Sequence, residues 1–228
     1  VHYYVFMYMN KEFYQKLLTT QNKYDRLDGW KKAEILYKSI DMRALKKYFL
    51  ELLEDEDIDV ILHAWQTLPK LLKLGIIDKE DYDERKFERA LREGDINAWW
   101  IAYDLWKEGI ISLDLLKVNI KYYEDALKGD PLTRISAWSL LPYFLQLGIV
   151  NKPSEDYLNE LLDKSLNIHI KLNVVYLILE LKERGVIQKV NIEGIRRVIQ
   201  DPNFIPLSEA YEKDWRKAME YIKSLKKQ

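Results

Sequence analysis

The chain has no cysteine among its 228 residues, which excludes disulfides, cysteine-ligated zinc, iron–sulfur clusters and thiol catalysis. The three histidines, His2, His63 and His169, are far apart in sequence and form no HxxxH or HExxH pattern, so they predict no metal site. The signatures GxGxxG, GxxxxGK[ST] and GxSxG are also missing. We therefore predict no metal and no cofactor, and these absences favour a protein that is not an enzyme.

Long apolar runs and a charge imbalance are missing too. No stretch of about 18 consecutive apolar residues occurs, so the sequence predicts no membrane span. The 36 basic and 37 acidic residues nearly cancel, which argues against a polyanion binder held by net positive charge. The opening VHYYVFMYMN has no charged leading region and no small-residue cleavage site, so we expect a cytoplasmic protein. A charged fraction of 32% is compatible with a thermophile's protein.

Glycine is scarce, and four of the eight glycines recur in one phrase, as LGII, EGII, LGIV and RGVI. Their intervals of 34, 39 and 37 residues fall in the range of roughly 20 to 50 residues that marks repeat arrays. Each glycine follows a long amphipathic run, where a left-handed residue ends a helix and the next Ile or Val makes the contact of such a cap. The pattern predicts a helix end at Gly75, Gly109, Gly148 and Gly185.

A small residue beside a large one stands ten residues before each of these glycines. Close helix packing requires such pairs, so the large residues are predicted to lie in the core. The pairs are Ala64 and Trp65, Ala98 and Trp99, Ala137 and Trp138, and Val174 and Val175. Because the adjacent Trp99 and Trp100 cannot both face inward, one of these two rings is expected near the surface or a neighbouring repeat.

Acidic and amide side chains predict where the second helix of each unit begins, because their oxygens cap helix N-termini. Asp57, Asp130 and Asn167 stand eight residues before the large position, whereas Asp95 stands four before Trp99. The second unit is therefore predicted to lack one helical turn. Five units of helix, turn and helix follow, at 41–78, 79–112, 113–152, 153–188 and a degenerate 189–228 with Asp201 and Pro202 in its turn.

This pattern resembles HEAT repeats, whose paired helices often meet across an Asp-Pro turn, and armadillo-like or idiosyncratic helical pairs fit nearly as well. The resemblance is carried by LLEDEDIDVILHAW at 52–65, ALKGDPLTRISAW at 126–138 and VIQDPNF at 198–204. It implies an all-α, right-handed α-solenoid of about five two-helix repeats, forming one continuous domain over 41–228. Residues 1–40 would form an N-terminal helical cap, with FYQKLL and WKKAEILYKSI as its helices. Pro69 and Pro142 depart from the pattern and are expected to kink their helices.

The resemblance also implies a function, because such arrays hold partners along a concave surface lined by the second helices. We therefore expect a non-enzymatic scaffold that binds a protein or peptide. The charge distribution further predicts a basic partner, because residues 41–84 form an acidic block with 6 basic and 12 acidic side chains. The alternative is that these charges are solvated turns and faces. The second helices are predicted near 60–74, 96–108, 134–147 and 170–184.

One helix offers an alternative function. In NAWWIAYDLW at 97–106, Asp104 follows Trp100 by four residues on one helical face, which is similar to the tryptophan and aspartate pairing of the HEAT-like alkylpurine DNA glycosylases. That resemblance implies that Trp100 contacts the lesion or backbone, that Asp104 stabilises positive charge developing on the sugar, and that Arg134 contacts phosphate. The near-neutral charge and the acidic block depart from that family. A nucleic-acid-binding protein is thus the alternative to the protein scaffold.

A third hypothesis is self-association through the N-terminal end of the array. A terminal repeat leaves an apolar face that needs a cap, and an aromatic segment is available to cover it. The oligomeric state itself is not fixed by the sequence. The aromatic residues are Tyr3, Tyr4, Phe6 and Tyr8.

Overall fold

The structure is a computed structural model, and it describes residues 10–203 and 208–225. Every regular element in these two ranges is helical, so the predicted all-α class is confirmed. None of the helices described there is both long enough and apolar enough to cross a membrane. The aromatic segment of the third hypothesis, with Tyr3, Tyr4, Phe6 and Tyr8, lies outside the described residues.

The chain divides into two compact units, Val1–Asn119 and Ile120–Gln228. The α-helices of the first unit are α1 (Lys11–Thr19), α2 (Lys23–Trp30), α3 (Ala33–Leu36), α4 (Lys46–Leu50), α5 (Ile58–Lys73), α6 (Glu88–Glu93) and α7 (Asn97–Lys107). The unit boundary falls inside α8 (Leu113–Ala126), and the second unit continues with α9 (Pro131–Gln146), α10 (Asp156–Asn159), α11 (Ile168–Glu183), α12 (Ile192–Ile199) and α13 (Glu209–Leu225). Short 3-10 helices lie at Arg43–Leu45, Glu51–Glu54, Lys79–Asp81, Glu84–Phe87 and Glu160–Asp163.

The four predicted second helices are present as α5, α7, α9 and α11. In the first unit α5 packs against both α2 and α7, and in the second unit α11 packs against both α9 and α13. Helix α7 has 11 residues where α5, α9 and α11 each have 16, which confirms the predicted missing turn. The right-handed solenoid and the single domain after residue 40 stay predictions.

Glycine ends each of these four helices in the left-handed conformation. The φ angles are +72° at Gly75, +76° at Gly109, +68° at Gly148 and +76° at Gly185, a region that a Cβ atom disfavours. At the first of them, the Gly75 amide donates to the Leu72 carbonyl at 3.1 Å and the next amide donates to the Leu71 carbonyl at 3.0 Å. The same two bonds recur at the other three glycines. They form the Schellman motif, so all four predicted helix ends are confirmed.

A tryptophan joins the two helices of several pairs. The Trp65 indole N–H donates to the Leu53 carbonyl at 3.2 Å, and that carbonyl lies in the last turn of the preceding helix. Because the last carbonyls of a helix have no intrahelical donor, the indole satisfies a group that burial would otherwise leave unpaired. Equivalent bonds run from Trp30 to Leu18 at 3.0 Å, from Trp138 to Leu127 at 2.9 Å and from Trp215 to Ile199 at 3.3 Å.

The predicted core positions are buried. Trp65 and Trp138 are 0% exposed and Trp99 is 2% exposed, and the small residues before them are fully buried as well. Val175 takes the same place in α11 and is also 0% exposed. Trp100 is only half-buried, so the prediction that one of the two adjacent rings lies near the surface is confirmed. These positions thus mark the inward side of α5, α7, α9 and α11.

The helix starts agree with the sequence, apart from one in the N-terminal region. Asp57, Asp130 and Asn167 cap α5, α9 and α11 by accepting backbone N–H bonds with their side chains. The helix predicted for WKKAEILYKSI is wrong in extent: α2 begins earlier, after its Asn22 cap, and ends at Trp30. Only the short α3 follows within that phrase. Here the two bonds that the Asn22 side chain accepts set the start, and the apolar pattern after Trp30 does not.

Replacing Gly75 isolates the energetic role of the left-handed caps, because nothing lies within 4 Å of a Cβ added there. We expect Gly75→Ala to lower the free energy of unfolding by about 1 kcal/mol, through backbone strain alone. Gly75→Asn should cost less, since asparagine enters the left-handed region more readily. Urea unfolding of the three proteins measures this order. Equal stability of all three would refute the role of the cap.

Candidate interaction groove

Two adjoining cavities lie between α5 and α7 in the first unit, near the C-terminal ends of both helices. The smaller has a volume of about 280 Å³ and the larger about 360 Å³, and Pro69 and Glu108 line both. We call the two together the α5–α7 groove. The smaller cavity is further lined by Gln66, Ile101, Asp104, Leu105 and Lys107. The larger is further lined by Leu72, Lys73, Ile77, Asp78, Lys79 and Ile110.

The groove combines an apolar floor with a charged rim. Leu105, Ile77 and Ile110 are buried beneath it, and Pro69 and Ile101 are half-buried in its walls. The polar lining residues at positions 66, 73, 104, 107 and 108 are exposed. A desolvated apolar centre with a polar rim is the usual composition of a protein interface.

Negative charge prevails at the smaller cavity. Asp104 and Glu108 are exposed, and neither makes an ion pair or a side-chain hydrogen bond in the part of the chain that the structure describes. The one lysine of this cavity, Lys107, has its Nζ 5.5 Å from the centre of the Tyr103 ring, a distance at which the ring attracts the cation. Helices α5 and α7 also end beside the groove, and helix C-termini carry partial negative charge.

The sequence-predicted Trp100 and Asp104 both lie on α7, four residues apart. Trp100 is half-buried and Asp104 is exposed. Asp104 lines the groove, whereas Trp100 does not. The residues that the sequence analysis missed are Gln66, Pro69 and Glu108, because only the side-by-side placement of α5 and α7 brings them to Asp104. The position of Glu108 next to the glycine at the end of α7 was the one available signal.

Arg134 lies in the second unit, where its guanidinium is used by the fold. It donates to the Gly129 carbonyl at 3.0 and 2.8 Å, to the Tyr157 carbonyl at 3.0 Å and to the Glu160 carboxylate at 2.6 Å. The residue is 7% exposed. The predicted phosphate contact stays a prediction, but all three guanidinium nitrogens already have partners inside the protein.

Most of the acidic block at 41–84 is engaged within the first unit. Lys23 pairs with Asp55 at 3.0 Å, Arg26 with Glu51 at 2.7 Å and Lys86 with Glu54 at 3.3 Å, and each of these ion pairs joins two different helical pairs. These carboxylates therefore connect neighbouring helical pairs. Eight of the twelve acidic side chains of the block form an ion pair or a hydrogen bond with another side chain. They are Glu51, Glu54, Asp55, Asp57, Asp78, Asp81, Asp83 and Glu84.

Hydrogen bonds to several of these carboxylates favour their ionised form. The Tyr24 hydroxyl lowers the pKa of Asp57, and the Arg43 guanidinium lowers the pKa of Asp78. The Arg85 side chain does the same for the pKa of Asp83. The acidic block thus stabilises the fold most when its carboxyl groups are charged.

The two described histidines, His63 and His169, do not line the groove, and His2 lies outside the described residues. His63 is exposed on α5, and the half-buried His169 ring packs 5.2 Å from the Tyr211 ring between centroids. Within residues 10–203 and 208–225, no three His, Cys, Asp or Glu side chains form a group that could hold a metal ion.

A relative places the chain in a family. The uncharacterized protein in sor 5'region of Acidianus ambivalens is 33% identical over 213 residues, which cover 88% of this chain and 92% of that protein. This chain belongs to the same family. Because neither unit alone makes up 88% of the chain, the match extends through both units. No protein-family model matches the chain, and no solved structure matches it.

Arg134→Lys tests whether the buried guanidinium is structural. Lysine keeps the charge but loses the planar fork that reaches several acceptors at once, so we expect a loss of about 2 kcal/mol in the free energy of unfolding. The matched Arg184→Lys, at a half-exposed arginine whose nearest carboxylate oxygen is 3.8 Å away, should change it by less than about 0.5 kcal/mol. Thermal unfolding measures both. Equal losses would show that Arg134 has no special structural role.

The lowered carboxyl pKa values predict acid sensitivity. Because the folded pKa of Asp57, Asp78 and Asp83 lies below the unfolded value, their stabilisation is present above about pH 4 and is lost as the pH falls through the folded pKa. The free energy of unfolding should therefore decline on acidification below about pH 4. Arg43→Gln should make this decline shallower by removing the partner of Asp78. An unchanged pH profile in the variant would contradict the assignment.

Proposed function

We propose that the protein is a non-enzymatic helical-repeat scaffold, a HEAT-like α-solenoid, that binds a protein or peptide partner along the exposed face of its second helices. The observation that carries this proposal is the α5–α7 groove, with its apolar floor and its charged rim. A surface of this composition desolvates a partner's apolar side chain at the centre and orients it through polar contacts at the edge.

Regular spacing supports the repeat. Several ion pairs connect one helical pair to the next, and their two residues are separated by a nearly constant number of positions. In the first unit this separation is 35 residues both for Arg43 with Asp78 and for Lys46 with Asp81. In the second unit Asp163 and Arg197 are 34 residues apart. These separations match the spacing of the glycine caps. Contacts confined to neighbouring modules with a fixed sequence period are typical of a repeat array.

The nucleic-acid alternative receives less support. A phosphate contact needs cations free to meet the backbone, and Arg134 is bonded within the second unit. Two cations near the N-terminus are also engaged within the first unit, because Lys23 and Arg26 pair with carboxylates of residues 51–55. Asp104, the predicted stabiliser of a sugar cation, lies in the smaller cavity, where its carboxylate and that of Glu108 would repel phosphate.

A cavity-filling variant tests the proposed surface. Peptides are first selected on the full wild-type chain from a random display library. They should bind at least tenfold more weakly to the Gln66→Trp variant, because the larger indole side chain would fill the smaller cavity that Gln66 lines. Gln15→Trp makes the same change at an exposed position of α1 and should leave the affinity unchanged. Titration of labelled peptides by fluorescence anisotropy gives both values.

Two outcomes would contradict the proposal. The first is that the selected peptides bind the Gln66→Trp variant as tightly as they bind the wild-type chain. The second is a gel shift with duplex DNA that weakens steeply as salt is raised, the signature of phosphate binding. That second result would establish the nucleic-acid alternative instead.

A further inference from the structure

We propose that the smaller cavity of the α5–α7 groove receives one lysine or arginine side chain of the partner, with Asp104 and Glu108 as its charge partners. This inference rests on the proposed function and specifies the chemistry of the partner. It commits the groove to a peptide with a single basic residue between apolar ones.

The two carboxylates are placed to act together. Asp104 lies in the last turn of α7 and Glu108 is its C-cap residue, so the two side chains, four residues apart, lie on the same side of the helix end. Both line the smaller cavity, and neither makes an ion pair in the part of the chain that the structure describes. This distinguishes them from the acidic block at 41–84, where lysines and arginines of the first unit pair with six of the twelve carboxylates.

The apolar lining of the smaller cavity, from Pro69 on α5 and from Ile101 one turn before Asp104 on α7, suits the stem of a basic side chain. Pro69 presents a ring and Ile101 an aliphatic chain, and lysine and arginine bury their methylene stems along such surfaces while the charged end stays hydrated. Because proline has no backbone N–H, Pro69 also leaves the Trp65 carbonyl, four residues earlier in α5, without its usual helical donor. The Gln66 side chain offers an amide oxygen as a further acceptor.

The larger cavity limits how many basic residues the partner carries. Lys73 and Lys79 line it, and its one aspartate, Asp78, is bonded to Arg43. A second basic residue next to the first would therefore meet like charge. The groove thus selects against polybasic runs, since specificity comes from repulsion as well as attraction.

A double-mutant cycle on selected peptides tests the pairing. In peptides selected on the wild-type chain, one lysine or arginine flanked by apolar residues should be enriched, and replacing it with norleucine should weaken binding at least tenfold. On the variant that combines Asp104→Asn with Glu108→Gln, the same replacement should have little effect, because the charge partners are gone.

The matched control makes the same two changes elsewhere. Asp25→Asn with Glu56→Gln neutralises two exposed carboxylates that lie outside the groove lining and have no ion pair in the described ranges. The norleucine replacement should still weaken binding at least tenfold on this variant. A charge-reversed chain, with Asp104→Lys and Glu108→Lys, should instead select a glutamate or aspartate at the same peptide position.

The outcomes separate this inference from the proposed function. Peptides that are sensitive to Gln66→Trp but show no basic enrichment, or tolerate norleucine, would overturn the inference and leave the binding surface in place. A norleucine effect that survives Asp104→Asn with Glu108→Gln would overturn it as well. If no selected peptide is sensitive to Gln66→Trp, both proposals fail.

Discussion

The fold depends on satisfying the backbone carbonyls at the ends of its first helices. A helix leaves its last carbonyls without donors, and an unpaired buried carbonyl costs free energy comparable to a lost hydrogen bond. Here a buried indole from the following helix supplies the donor, as in the bonds from Trp30, Trp65 and Trp138. The same side chain fills the core between the two helices, so one residue type provides both the packing volume and the polar partner.

The candidate surface follows from this constraint. Because each tryptophan fixes the inward side of its second helix, the outward side is fixed as well, and in the first unit α5 and α7 present their outward sides next to each other. The left-handed glycines then end both helices beside the groove. Ion pairs between successive helical pairs use five carboxylates of the acidic block. Two carboxylates of the groove, Asp104 and Glu108, make no ion pair in the part of the chain that the structure describes.

Local features were predictable from the sequence, and long-range features were not. The caps at Gly75 and Gly109 and the core position of Trp65 follow from spacing along one helix, so periodicity alone found them. The extent of α2 was missed because KYDRLDGW is polar and contains a helical glycine. The pairing of Arg43 with Asp78, 35 residues away, depends on how successive helical pairs pack.

The groove was missed for the same reason as the ion pairs. Asp104 was singled out for its distance from Trp100 on one helix, yet the structure gives it Gln66 and Pro69 of another helix as neighbours. A pattern within α7 carries no information about the outward side of α5. A phosphate contact was predicted for Arg134 from the helix that carries it, whereas the Tyr157 and Glu160 groups that hold it lie more than twenty residues further along the chain.

Hydrogen exchange of the indole N–H groups, followed by NMR, tests the central claim most directly. The indoles of Trp30, Trp65 and Trp138 should exchange slowly, because each is buried and donates to a helix-end carbonyl. The half-buried Trp106 has no such bond among the described residues, and its indole should exchange much faster. Fast exchange at all four would show that the indole bonds do not hold the helical pairs together.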